Sequence, residues 1–315
     1  MKFHLNYSPE PAAFSIDHKN SILLVGSCFA ENIGGFLKDS KFTTRINPNG
    51  ILFNPLSVLD CISSAVQNLK IQEDFLLERE GLFYSYLHHS SYSSTHKKEL
   101  LKNICSETEN THYFLKSADF LIITFGTAFV YYHKQLGQPV ANCHKQPSEV
   151  FTKKMLEVNE ITSVYTRLIE DLKAFNPALK IIFTVSPVKY LKDGIEENNL
   201  SKSTLLLGIH KLVEQHQHCS YFPAFEFVND DLRDYRFYKE DLAHPNDLAI
   251  EYIWQKFSEC YFKQETLRLN QQIQKLNQVL NHRQINKNSL ENEKLSAFIE
   301  KQKEEIKKLD PSIEF

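Results

Sequence analysis

Apolar positions along the chain follow two rhythms, and small or turn-forming residues mark the places where one rhythm gives way to the other. Residues 21–25, SILLV, form a short apolar run ended by Gly26, the pattern of a strand buried on both faces of an α/β sheet. After Gly26-Ser27-Cys28 the stretch FAENIGGFLKD carries Phe29, Ile33, Phe36 and Leu37 at helical spacing. Strand, tight turn and helix follow one another directly. The segment RINPNGILFNPLSV, with its Asn-Pro and Asn-Gly dipeptides, predicts irregular backbone ahead of a helix from about 57 to 69. Two further runs, ADFLIITFG ending at Gly126 and LKIIFTVSPV ending at Ser186-Pro187, have the composition of central strands, with amphipathic EITSVYTRLIEDLKAF between them. The alternation predicts a three-layer α/β/α domain around a mainly parallel sheet. In such sheets ligands bind beyond the carboxyl ends of the strands, so residues 26–28, 126–128 and 186–188 are expected to converge on one crevice.

The rhythm changes at about residue 263. Leu269, Ile273, Leu276 and Leu280 recur at helical spacing, and after the polar interruption NHRQINKN a second stripe runs through Leu295, Ile299, Ile306 and Leu309. This predicts a domain over 1–262 and a helical C-terminal extension over 263–315, a hairpin or coiled coil that packs on the body or on a second copy as a homo-oligomer.

Composition narrows the functional classes. Thirty-six basic against 39 acidic residues give a formal charge of -3, so no global basic field holds nucleic acid or an anionic membrane. No apolar run approaches the ~20 residues of a membrane helix, and the N-terminus lacks a signal-peptide core. The six cysteines are scattered without a CxxC pair, which suits reduced thiols and a cytoplasmic location. His216, His218 and Cys219 lack a matching ligand pair, and no phosphate-binding glycine pattern exists, so neither metal nor other cofactor is expected.

Two features carry chemistry. Cys28, with Ser27 before it, stands at the tip of a strand on the turn into a helix, where a nucleophile is exposed above a sheet. The helix start favours a thiolate and is expected to lower the Cys28 pKa. The bland alternative is a small buried cysteine with Ser27 capping the helix. Near the end of the body stands Asp241-Leu-Ala-His244-Pro245, an acid and an imidazole three apart, so that the carboxylate can fix the histidine tautomer. Taken alone this could be a surface histidine beside an aspartate; a strand-tip nucleophile together with D-x-x-H is a far more specific pair.

The stretches VGSCFAENIG at 25–34, NPNGILFNP at 47–55, TFGTAFVYY at 124–132, SPVKYLKDGIEENNLSKSTLL at 186–206 and YFPAFEFVNDDLRDYRFYKEDLAHP at 221–245 resemble the GSCFA-domain family, placed among the SGNH/GDSL-type hydrolases. The resemblance implies an SGNH-hydrolase-like fold and covalent catalysis on an ester-linked acyl group, by hydrolysis or acyl transfer, with O-acetyl on a carbohydrate as the substrate suggested by the wider group. That group begins with G-D-S; in register, Cys28 takes the nucleophile's place and Ser27 the aspartate's. Asp241 and His244 match the closing D-x-x-H, as orienting acid and general base. Gly50 matches the second-block glycine that lends an oxyanion amide, with Asn47 and Asn49 beside it. The third block, G-x-N-D, meets Gly126-Thr127-Ala128, so its asparagine is absent and Thr127, Asn47, Asn49 or a backbone amide would have to substitute.

Weaker polar clusters complete the reading. His88 and His89 are candidates to line the crevice, and Asp193, Asn198, Asn199, Ser201 and Lys202 to form a loop that binds substrate hydroxyls, with internal loop bonding as the alternative. Arg233, Asp234 and Arg236 are expected to pin the D-x-x-H turn by ion pairs. The expected partner is a small-molecule or carbohydrate acyl ester; the competing reading is an inactive SGNH-like protein that binds a glycan or other ligand.

Overall fold

The computed structural model describes residues 7–282, 290–311 and 313–315. The chain begins with β1 (Ser21–Gly26), α1 (Cys28–Asp39), β2 (Thr43–Ile46) and α2 (Pro55–Gln67). Helix α2 starts two residues before the expected boundary. Asn54 caps it by accepting from the Ser57 N–H, and Pro55 takes the first helical turn, where its missing donor is harmless. There follow β3 (Leu76–Arg79), β4 (Leu82–Ser85), β5 (Ser93–Ser94), α3 (Lys97–Ser117), β6 (Phe120–Phe125), β7 (Phe129–His133), β8 (Gln138–Val140) and β9 (Phe151–Met155). The body closes with α4 (Val158–Phe175), β10 (Lys180–Val185), α5 (Ile195–Gln215), β11 (Cys219–Phe222), α6 (Ala224–Glu226), which runs into a π-helical stretch Phe227–Leu232, and α7 (Asp247–Tyr261).

The main sheet has the order β11-β10-β6-β1-β2, and every pair is parallel. The chain order reverses between β1 and β6, the position at which the carboxyl ends of a doubly wound sheet open a crevice. Alternate side chains go to opposite faces. Leu23, Val25, Leu121, Ile123 and Phe183 join the core under α2 to α5, whereas Ile22, Leu24, Ile122 and Ile182 join the one under α1 and α7. Burial on both faces explains why these strands read as unbroken apolar runs.

Two small antiparallel sheets, β3-β4-β5 and β8-β7-β9, are additions that the hydrophobic pattern did not predict. Glu80 and Gly81 join β3 to β4 with φ of +54° and +75°, the left-handed pair that a two-residue hairpin needs, written in Glu-Gly rather than the more recognisable Asn-Gly.

The tail consists of α8 (Gln264–His282) and α9 (Leu290–Leu309), packed on each other. Leu269, Ile273, Leu276, Ile299 and Ile306 form a separate apolar cluster as the spacing predicts, with Leu280 and Leu295 at its edge. Leu309 departs from the expected stripe: it is exposed, and Ile313 fills the cluster instead. The polar interruption falls largely outside the described residues. Asn277 on α8 donates to the Asp39 carbonyl at 2.8 Å, fastening the tail to the body. At the opposite end of the chain, residues before β1 lie along the end of α7, with Ala12 N–H donating to Cys260 O at 3.1 Å and Ile16 N–H to Tyr261 O at 2.8 Å.

Candidate active site

The tip of β1 is fixed by backbone contacts that leave no room for a side chain. Gly26 has φ of +148°, and a Cβ built on it would lie 2.2 Å from the Thr124 carbonyl oxygen. Its N–H donates to Asn47 Oδ1 at 2.9 Å, and its carbonyl accepts from Leu52 N–H at 2.8 Å. Ser27 is buried, and its hydroxyl caps α1 by accepting from the Phe29 N–H at 3.3 Å. Cys28 is the first helical residue and half-buried. The thiol pKa is pushed up, against the expectation from the helix start: burial is the largest cause and Glu31 adds to it, while the amides of Cys28 and Phe29 and the charge of Lys202 pull the other way.

The D-x-x-H segment forms a self-bonded turn. Asp241 Oδ1 accepts from the Ala243 and His244 N–H groups at 3.0 and 2.9 Å, and Oδ2 meets His244 Nδ1 at 2.6 Å. A carboxylate can only accept, so Nδ1 carries a proton, and in the neutral ring Nε2 is the nitrogen with the lone pair. The two backbone amides and then the imidazole hold the Asp241 carboxyl down at about 2. Leu242 takes the left-handed conformation that closes the turn, and Ala243 O accepts from Lys189 N–H at 3.0 Å. The expected ion pairs do not pin it. Asp234 caps a short helical turn by accepting from Arg236 N–H, the Arg236 carbonyl accepts from Asn246 Nδ2, and among the described residues Arg233 has no salt bridge.

Both features line one cavity of about 200 Å³, together with Ser27, Phe53, Gly126, Thr127, Ser186, Val188, Lys189 and Tyr190. All three expected strand ends therefore converge. Cys28 comes to it from the start of α1 and His244 from the turn ahead of α7, and the surface that lines it is mainly apolar.

The oxyanion candidates fare differently. Gly126 and Thr127 line the cavity, yet both N–H groups donate to the Phe53 carbonyl, at 2.8 and 3.0 Å, and the Thr127 hydroxyl bonds Ser201 Oγ at 3.1 Å. Gly50 N–H is engaged with Asn47 O at 2.7 Å, while Gly50 packs against His89. Asn47 supports Gly26 from below, and Asn49 and His88 line a larger cavity of about 460 Å³ that contains none of the strand-end residues. His89 is outside both. At the first turn of α1 the amides of Cys28 and Phe29 both act on the thiol.

Four of the five residues of the expected hydroxyl-binding loop are in helix α5 and Asp193 is in the turn before it, and three of the four turn inward. Asn198, Ser201 and Lys202 are buried. Asn198 Oδ1 accepts from Tyr190 N–H at 2.9 Å, Ser201 Oγ accepts from Ala128 N–H at 2.7 Å, and Lys202 Nζ donates to Gly126 O at 2.6 Å and Ser186 O at 2.7 Å. These residues hold the cavity floor and do not line it. Asp193 pairs with Lys153, and Asn199 is exposed on the far side of the helix. Among the described residues no group of three His, Cys, Asp or Glu side chains is placed to hold a metal ion, and no helix is long and apolar enough to cross a membrane.

The GSCFA family matches residues 21–257. No curated protein sequence matches the chain. Among solved structures, a carbohydrate esterase family 3 protein from Talaromyces cellulolyticus is similar at 10% identity with a TM-score of 0.37, over 81% of this chain and 99% of that one. A carbohydrate esterase family 2 enzyme plus carbohydrate-binding domain from Corynascus thermopiles (Myceliophthora fergusii) gives 11% and 0.41, over 81% and 67%. An acetyl xylan esterase from the rumen bacterium Butyrivibrio proteoclasticus gives 11% and 0.38, over 76% and 63%.

Proposed function

The chain belongs to the GSCFA family, and from that premise we propose that it cleaves or transfers an ester-linked acyl group with the Cys28 thiol as nucleophile. The observation that carries this reading is the shared cavity: Cys28 and His244 line it together, and Asp241 holds the histidine through Nδ1, which leaves Nε2 for the reacting groups. His244 takes the thiol proton; the thiolate attacks the ester carbonyl, a C–S bond forms, and the tetrahedral oxyanion is met by the Cys28 amide at the start of α1. Collapse breaks the C–O bond, and the leaving oxygen takes its proton from the imidazolium held by Asp241. Water or another hydroxyl then attacks the thioester by the same route in reverse roles. Ser27 caps the helix and is not the nucleophile in this scheme.

A cavity of about 200 Å³ suits a small acyl group, with acetyl on a carbohydrate hydroxyl as the first substrate to try. Six free cysteines suit a cytoplasmic location. The domain division stands in the same reading, with 1–262 as the acyl-handling unit and 263–315 as the helical extension. Self-association through the tail would rest on its exposed Phe298 and Leu309, since the rest of the stripe is shared between α8 and α9.

A second reading, ligand binding without turnover, is favoured by one specific observation: the Gly50, Gly126 and Thr127 amides are all engaged within the protein. Intact-mass measurement after treatment with p-nitrophenyl acetate separates the two. Acylation of the wild type and of Ser27→Ala, lost in Cys28→Ala and slowed in His244→Ala, is the expected result. No adduct and no p-nitrophenol release would leave the binding reading in its place.

A further inference from the structure

Among the described residues that line the cavity of Cys28 and His244 there is one lysine, Lys189, and no arginine, aspartate or glutamate. Lys189 is half-buried, and among the described residues it has no salt bridge. What holds its side chain is aromatic: Nζ stands 4.0 Å from the Tyr238 ring centroid and 4.9 Å from that of Tyr235. A ring face attracts a cation through its quadrupole and leaves the charge uncancelled. The acids nearby are engaged elsewhere. Asp241 is bonded to His244, Asp193 is paired with Lys153, and Glu31 acts on the Cys28 thiol. Burial lowers the Lys189 pKa, and no carboxylate beside it pulls the other way. An ammonium with three N–H donors therefore meets a mainly apolar cavity, where an ion pair is screened less than in open water.

The backbone of the same residue tells which half of a substrate it serves. Lys189 N–H donates to Ala243 O at 3.0 Å, directly before His244, and Lys239 N–H donates to His244 O at 2.7 Å, folding the tyrosine-bearing segment back on the D-x-x-H turn. Lys189 thus belongs with His244, on the side where the leaving oxygen collects its proton. We propose that Lys189 selects acyl esters whose leaving alcohol carries a carboxylate, such as an acidic sugar, by pairing its ammonium with that anion in the cavity. This rests on Cys28 and His244 handling an acyl ester, and it names the alcohol half of that ester. One uncancelled positive charge matches the single negative charge of a carboxylate better than the near-double charge of a phosphate.

The test compares kcat/KM for 4-acetoxybenzoate and for the neutral 4-acetoxybenzamide in the full-length wild type, Lys189→Gln, Lys189→Arg and Lys192→Gln. The two esters differ in intrinsic reactivity, but that difference is common to every variant and drops out of the comparison. Lys189→Gln should lower the ratio of anionic to neutral substrate by about tenfold, and Lys189→Arg should keep it within about threefold. Lys192→Gln, whose amine already donates to the Tyr131 hydroxyl at 3.4 Å in the native protein, should leave the ratio nearly unchanged. An unchanged ratio in Lys189→Gln, or a larger loss in Lys192→Gln, overturns the proposal. A second measurement needs no ester. Iodoacetate and iodoacetamide alkylate the same Cys28 thiolate, one as an anion and one neutral, so any change in thiol pKa cancels from their ratio. Peptide mass should show that ratio falling several-fold in Lys189→Gln and, in the wild type, falling as NaCl rises from about 50 to about 500 mM. The wild-type salt series decides even if the Lys189 variants fail to fold, and a ratio indifferent to salt overturns the proposal. Cleavage of neither ester would strike the proposed function, while the alkylation ratio would still decide whether Lys189 draws anions to the thiol.

Discussion

The two segments that bring Cys28 and His244 to the cavity, each forming a wall of it, are built on opposite terms. On one, Ser27 and Lys202 are buried and Cys28 is half-buried, and the strand tips are tied by backbone bonds from Ser27 to Thr124 and from Gly126 and Thr127 to Phe53. On the other, Asp241 and His244 are about half exposed and held by a turn that bonds mainly to itself. Burial therefore sets the ionisation of the first wall, moving Cys28 up and Lys202 down, and hydrogen bonding sets that of the second, moving Asp241 down. A rigid, dry wall suits a nucleophile that must be placed. A wet wall suits a group that must exchange protons with water.

The sharpest way to break this contrast is at Cys28. Cys28→Ala should abolish acylation by p-nitrophenyl acetate, with turnover falling by roughly a thousandfold or more. His244→Ala should cost about 100- to 10,000-fold in kcat/KM while leaving the melting temperature nearly unchanged, because an exposed turn contributes little to the core. On the buried wall the order of effects reverses. Gly26→Ala should destabilise the fold by ~3 kcal/mol in urea unfolding, since its Cβ would be driven into the Thr124 carbonyl. Ser27→Ala should lose about 1 kcal/mol as a helix cap and retain acylation. The smallest effect concerns acid. The Asp241 pKa is depressed in the folded protein, so its hold on the turn is complete above the ordinary carboxylate range and disappears as pH falls through about 2. Hydrogen exchange at the Ala243 and His244 amides should thus remain protected at pH 4 and lose that protection near pH 2.

The sequence disclosed the first wall better as architecture than as chemistry. The apolar runs at 21–25, 120–125 and 180–185 are buried on both faces, and such strands announce themselves by composition. The small sheets escaped because their strands are short and only half-buried, with mixed polarity and a Glu-Gly turn. Asp241 and His244 were legible because their interaction is local, three residues apart. The state of Cys28 was not, since desolvation depends on what the whole fold stacks around the thiol. Lys202 was misplaced for a related reason: a lysine amid Asn, Ser and Glu reads as a solvated loop, and only the packing of α5 against the tips of β6 and β10 turns it inward.

The seam between the residues before β1 and the end of α7 has a bearing on how the molecule is made. Cys260 Sγ reaches the Glu10 carbonyl across 250 positions of sequence, beside the backbone bonds from Ala12 and Ile16. Contacts of such separation are slow to form, because a long loop must close before they give anything back. On the ribosome this seam cannot be drawn shut until α7 has emerged, by which time β1, α1 and the strands beside them have been available to pair. The residues before β1 are thus synthesised early and docked late, after the segment that carries His244 has already left the exit tunnel.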